Sequence, residues 1–118
     1  MTGDATPSLV VDRALSSFGH IDVLVNNAGS GRIRTGYMDV TDEQWRESWE
    51  LLFLSVVRMT NSALPSLLAS GSGVVVKVSS YNARVLVPSV PDYAAAKAAL
   101  NNYSKGLAGS TRSKACEL

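Results

Sequence analysis

Tyr93 and Lys97 stand four residues apart in the run Tyr93-Ala94-Ala95-Ala96-Lys97. On a helix that spacing puts both side chains on one face. A phenol with an ordinary pKa near ~10 is a poor base at neutral pH, but an adjacent ammonium favours its ionised form. A tyrosine so placed can give or take the proton of an alcohol while a hydride moves to or from its carbon. The same pattern is also common as a plain surface pair, and its meaning depends on what surrounds it. Ser80, thirteen residues before Tyr93, carries a hydroxyl that could hydrogen-bond a carbonyl oxygen as charge develops there. Read more plainly, Ser79 and Ser80 only end a strand. Asn26-Asn27-Ala28-Gly29 joins amides able to brace loops with small residues that let a ligand approach the backbone. By composition alone it is a turn.

Positioning these groups falls to alternating helices and strands. Thr6 as N-cap and Pro7 at the first helical position open a helix whose Val10, Val11, Ala14, Leu15 and Phe18 recur at helical spacing. Gly19 ends it, because glycine takes the left-handed conformation at no steric cost. Ile21-Asp22-Val23-Leu24-Val25 reads as a short strand, apolar enough to be parallel and buried on both faces. It runs into Asn26-Asn27-Ala28-Gly29 and a loop bearing Gly31 and Gly36. Thr41 and Gln44 spell a capping box, with Val40 and Trp45 as its hydrophobic staple. A long apolar stripe follows through Trp49, Leu52, Phe53, Val56, Ala63, Leu64 and Leu67, and Pro65 is expected to end or kink it. Val74-Val75-Val76-Lys77-Val78 is the second predicted strand, delivering Ser79 and Ser80 at its C-terminal end. A loop with Pro88 and Pro91 leads to a third helix, from about Asp92 to Leu107. Helix–strand–helix–strand–helix at this spacing predicts parallel strands with right-handed crossovers. Ser80 and Asn27 then lie at the C-terminal edge of the sheet, where open α/β sheets hold ligands.

Composition narrows the class. The 118 residues are 46% hydrophobic and 18% charged, the profile of one folded domain rather than a disordered chain. A formal charge of +1 argues against nucleic acid as a partner. No unbroken apolar run approaches the roughly 18 residues of a membrane span. The start of the chain has no basic segment leading into an apolar one, so no secretory signal is read there and the cytoplasm is the default location. Cys116 is the only cysteine and His20 the only histidine, which leaves no internal disulfide and no cysteine-based zinc site.

From Phe18-Gly19-His20-Ile21-Asp22 to about Leu107 the chain resembles the classical short-chain dehydrogenase/reductase family. The resemblance rests on Asn26-Asn27-Ala28-Gly29, Trp45, Pro65, Ser79-Ser80 and Tyr93-Ala94-Ala95-Ala96-Lys97. It implies an α/β fold, a partial Rossmann-like doubly wound parallel sheet with helices on both faces. It implies hydride exchange between NAD or NADP and a small-molecule carbonyl or alcohol. In that scheme Tyr93 is the general acid/base, Lys97 binds the nicotinamide ribose and eases the tyrosine's ionisation, and Ser80 polarises the substrate carbonyl. Asn27, Ala28 and Gly29 would lie against the adenosine part of the cofactor. Full-length members of the family are homo-oligomers.

Two departures stand beside these matches. The family's helix asparagine, seven residues after the tryptophan and thirteen before the proline, falls on Leu52. Leucine has neither donor nor acceptor for the water relay that asparagine supports, and Ser55, one turn on, is the nearest substitute. The family's opening strand and Gly-x-x-x-Gly-x-Gly turn, which receives the pyrophosphate, has no counterpart here, and Asp4 reads as a helix-start residue rather than an adenine contact. The strand and Pro-Gly loop that follow the tyrosine helix are missing as well. The expectation is that residues 1–118 form a single partial dinucleotide-binding domain: an internal fragment, a truncated product or a disrupted reading frame. Tyr81, Val85 and Val87 are guesses for the near wall of a substrate site. The alternatives to a working oxidoreductase are a catalytically inactive remnant and an interaction protein using its long helices. A flavodoxin-like fold would leave the spaced Ser80, Tyr93 and Lys97 unexplained.

Overall fold

The computed structural model describes residues 6–27, 29, 31–80 and 88–111. Asp4, Ala28, Tyr81, Val85, Val87 and Cys116 lie outside the described residues. Helix α1 spans Thr6–Phe18, strand β1 Val23–Asn26, helix α2 Asp42–Trp49, a π-helical segment Glu50–Leu54, helix α3 Ser55–Ser70, strand β2 Val74–Lys77 and helix α4 Pro91–Thr111. A short 3-10 turn, Tyr37–Asp39, precedes α2.

The two strands pair in parallel, Val23 with Val74 through Asn26 with Lys77, as the alternation of elements requires. Strand β1 sits two residues later than its apolar run begins. The Ile21 amide donates to Ser66 Oγ on α3 at 3.1 Å, so it is satisfied by a helix and not by the ladder. Alternation along the strands then separates two faces. Val75, at 1% exposure, meets Val11, Met59, Ala63 and Leu67 in the core, with Leu24 and Leu15 packed against that cluster. Val23, Val25, Val76 and Val78 are exposed. The described helices thus gather on the Leu24–Val75 face. Of the predicted apolar face of α1, Val11 is buried, whereas Val10 and Phe18 stay in solvent. Gly19 ends this helix as expected, with φ 84° and its amide donating to the Leu15 carbonyl at 2.8 Å.

The capping box is present: the Gln44 amide donates to Thr41 Oγ1 at 3.2 Å and the Thr41 amide to Gln44 Oε1 at 3.0 Å. The helix it starts is continuous over Asp42–Ser70 and does not end at Pro65. Pro65 is exposed while Ala63 and Leu67 are wholly buried, so packing on either side holds the helix where the ring alone would break it. This corrects the expected break; Gly71, left-handed with φ 76°, is the true C-cap. Inside this helix an 18-residue window has mean hydropathy 1.4, long and apolar enough to cross a bilayer by length and composition. Counting unbroken apolar runs missed it because Ser55, Arg58 and Thr60 interrupt the sequence without changing the average. In this fold 39% of that window is buried.

Helix α4 begins one residue earlier than expected, with Pro91 at its first position, where the missing N–H costs nothing. It runs past Leu107 to Thr111, whose hydroxyl donates to the Leu107 carbonyl at 2.6 Å. α4 packs along α2 and the π-helical segment. Trp49, Phe53 and Tyr103 stack between them, with ring centroids 4.4 Å and 5.9 Å apart.

Candidate active site

Both strands end level, Asn26 opposite Lys77, so Asn27 and Val78 leave the sheet at the same C-terminal edge. Helix α4 returns across that edge. Lys97, 5% exposed, donates from Nζ to the Val78 carbonyl at 2.8 Å, which anchors the helix to the end of β2. Ser80 lies two residues further on and is partly buried. Tyr93 occupies the turn before Lys97, whose Nζ is 5.8 Å from the centroid of the tyrosine ring.

The loop after β1 closes the other side through two glycines that tolerate no side chain. A Cβ on Gly31 would stand 2.9 Å from Cδ2 of Tyr93, so the loop backbone runs close against the base of that ring. A Cβ on Gly29 would stand 2.6 Å from Cδ2 of Leu52 and 4.0 Å from Lys97 Nζ. The fold therefore brings Gly29, Gly31, Tyr93 and Lys97 into one place, with Leu52 as its fully buried apolar wall. Asn27 is exposed at the lip. Its neighbour Asn26 turns inward instead, donating from Nδ2 to Thr60 Oγ1 at 3.3 Å, which ties β1 to α3.

Ser55, one turn after Leu52 in the long helix, is buried and turned back on its own helix. Its hydroxyl donates to the Leu51 carbonyl at 2.5 Å, so its one proton is committed there.

The sequence reading also missed the carboxylate beside the tyrosine. Asp92, with its side chain 1% exposed, accepts hydrogen bonds on Oδ2 from Arg34 Nη2 at 2.7 Å, Arg34 Nε at 3.2 Å and Ser48 Oγ at 2.6 Å. Burial works to raise its pKa, but the bonds from Arg34 and Ser48, its own backbone amide and the Arg34 charge together hold it below the usual carboxylate range. Only the acidic residue in a helix's first turn was visible in advance, and that signal reads as helix capping.

A nicotinamide dinucleotide asks for ribose donors, a proton relay and a cradle for two phosphates. Lys97, with further N–H groups beyond the one given to Val78, and the Tyr93 phenol fit the ribose and the reacting end. For the phosphates the described residues offer less. The first turn of α2 holds Asp42 and Glu43 and that of α4 holds Asp92, and acidic groups there oppose an anion at the helix N-terminus.

A family model described as short chain dehydrogenase matches residues 2–116. The chain is 35% identical over 98 residues to the uncharacterized oxidoreductase YvrD of Bacillus subtilis, spanning 83% of this chain and 37% of that protein. It is 31% identical over 114 residues to the 3-oxoacyl-(acyl-carrier-protein) reductase FabG of Escherichia coli, spanning 97% of this chain and 46% of the relative. Among solved structures, the L-sorbose reductase of Gluconobacter frateurii, complexed with NADPH and L-sorbose, matches with a TM-score of 0.92 at 36% identity. That match covers 98% of this chain and 43% of the other. The chain spans less than half the length of each of these relatives.

Proposed function

The chain belongs to the short-chain dehydrogenase family, with its Rossmann-like α/β fold, and on that premise we propose that it carries the proton-transfer half of an NAD(P)-dependent carbonyl/alcohol oxidoreductase. The observation that carries this reading is the placement of Lys97. It joins α4 to the Val78 carbonyl at the C-terminal edge of a parallel sheet, two residues before Ser80 and one helical turn after Tyr93. Bound NAD(P)H would supply the hydride, and NAD(P)+ would accept it.

The chain's own residues handle the proton and the oxygen. In reduction the Tyr93 phenol gives its proton to the carbonyl oxygen as the carbon receives the hydride; in oxidation it takes that proton back. Ser80 donates to the same oxygen and stabilises the charge that builds on it. Lys97, fixed by Val78, presents its remaining N–H groups to the nicotinamide ribose and its charge to the phenol. Asn27, Ala28 and Gly29 would hold the adenosine side, where a glycine lets the cofactor approach the backbone. Leu52 offers neither donor nor acceptor, so that wall adds no group to the proton's path. A cytoplasmic location and a small-molecule substrate complete the reading.

Titration of the purified chain into NADH or NADPH, followed by nicotinamide fluorescence, is expected to give saturable binding. In a turnover assay Tyr93→Phe removes activity and leaves that binding within about twofold, since the phenol acts on the transition state rather than on ground-state affinity. An absence of binding at millimolar cofactor would overturn the enzyme reading for this chain and favour a non-catalytic remnant. Turnover retained in Tyr93→Phe would remove the tyrosine from its role.

A further inference from the structure

The Arg34–Asp92–Ser48 cluster lies outside the proton-transfer scheme, yet it is built around the residue next to the reacting tyrosine. Three segments meet at one carboxylate: the loop after β1 through Arg34, helix α2 through Ser48 and the first turn of α4 through Asp92. The Arg34 side chain is itself 11% exposed, and its backbone amide donates to the Ser89 carbonyl at 2.7 Å, so it is held at both ends. Gly31 lies three residues before Arg34, so close to Tyr93 that a Cβ there would stand 2.9 Å from Cδ2 and 3.0 Å from Cγ of the ring. The span Gly31–Arg34 is therefore pinned at one end to residue 93 and at the other to residue 92.

We propose that Arg34, Asp92 and Ser48 act as a positioning lock for Tyr93, holding the loop backbone against the base of its ring and so fixing the χ1 rotamer that sets where the phenol oxygen lies. The physical case rests on geometry and burial. A two-residue pin on consecutive positions removes the freedom of the loop to lift and of the Tyr93 side chain to swing to another χ1 rotamer. The ion pair is sheltered and receives a third donor from Ser48, so it holds one geometry where an exposed pair would sample many. A guanidinium suits this task because its Nε and Nη2 both reach the same carboxylate, which a point charge cannot do. Arg34 and Asp92 touch no reacting atom; they act through Gly31 and Tyr93.

This inference rests on the role given to Tyr93 above, but its test reads the ring directly. The full chain, labelled on its tyrosine rings, is followed by NMR, with the Tyr93 signals assigned by their loss in Tyr93→Phe. Tyr103, packed against Phe53 on the far part of α4, serves as the internal control. In Asp92→Asn and Arg34→Met the Tyr93 ring signals should leave their wild-type positions and move toward those of a tyrosine averaging over χ1 rotamers, while Tyr103 stays in place. Arg34→Lys should restore them only in part. Ser48→Ala, which removes a single donor and is the variant safest for folding, should give a smaller displacement in the same direction. Tyr93 signals unchanged in folded Ser48→Ala and Asp92→Asn, with only the melting temperature lowered, would reduce the cluster to a structural staple and overturn the lock. Failure of cofactor binding leaves these spectra as they are, so the two readings fail separately.

Discussion

Asp92 is a carboxylate whose charge is maintained against burial by Arg34 and Ser48, and this gives stability a pH signature. Its folded pKa is lowered, so the stabilisation is present above the unfolded value near ~3.9 and is lost as pH falls through the lower folded value. The difference in urea midpoint between wild type and Asp92→Asn should therefore be widest at neutral pH and close below the ordinary aspartate range. An equal difference at pH 7 and at pH 3 would show that the carboxylate's charge contributes nothing. At this scale the sequence disclosed much of the site and missed its support. Tyr93 and Lys97 are legible because a helix puts residues four apart on one face whatever lies around them. Arg34 and Asp92 are 58 residues apart, and no local rule relates them. Ser55 illustrates the opposite error: proximity to Leu52 in the chain suggested a relay, but its hydroxyl is taken by the Leu51 carbonyl.

Helix starts and stops followed the sequence closely where a side chain does the work. The Thr41–Gln44 box is both spelled and built, so Thr41→Ala should cost about 1 kcal/mol in chemical denaturation, and Thr41→Ser should recover most of it. A loss well under half of that would mean the first turn of α2 is held by packing instead. The interior of the same helix was far less legible. The π-helical segment Glu50–Leu54 carries no composition of its own; it is recognised by the Ser55 backbone amide donating to the Glu50 carbonyl five residues back, and the Arg58–Glu50 ion pair spans it, with Nη1 to Oε2 at 2.5 Å. Arg58 holds the Glu50 carboxyl below its usual range, but both groups are open to solvent and the pair adds little to stability. Pro65 does not end the helix, contrary to what the residue alone predicts. The buried Ala63 and Leu67 on the inner face outweigh one absent hydrogen bond on the outer one.

For the molecule as a whole, the decisive fact is which side of the two-stranded sheet is covered. Leu67 is fully buried among α1, β2 and its own helix, whereas Val25 is 57% exposed on the opposite face. Leu67→Ala should destabilise by about 2–5 kcal/mol, a large share of what a small domain has, while Val25→Ala should change stability by less than about 0.5 kcal/mol. Equal costs for the two would place the core on the wrong face. Family membership stands on the whole-chain match and leaves this packing question to experiment. By itself the sequence determined the order of the elements, the parallel pairing, the cap of α2 and the spacing of Ser80, Tyr93 and Lys97. Each of these follows from backbone periods of two or 3.6 residues acting over a few positions. Tertiary structure decided the rest: which strand face the helices cover, the carbonyl that Lys97 takes, the continuity of the helix through Pro65, and the meeting of Arg34 with Asp92. These depend on contacts between distant segments, and such contacts are set by the competition of all apolar surface for one core, which no local pattern encodes.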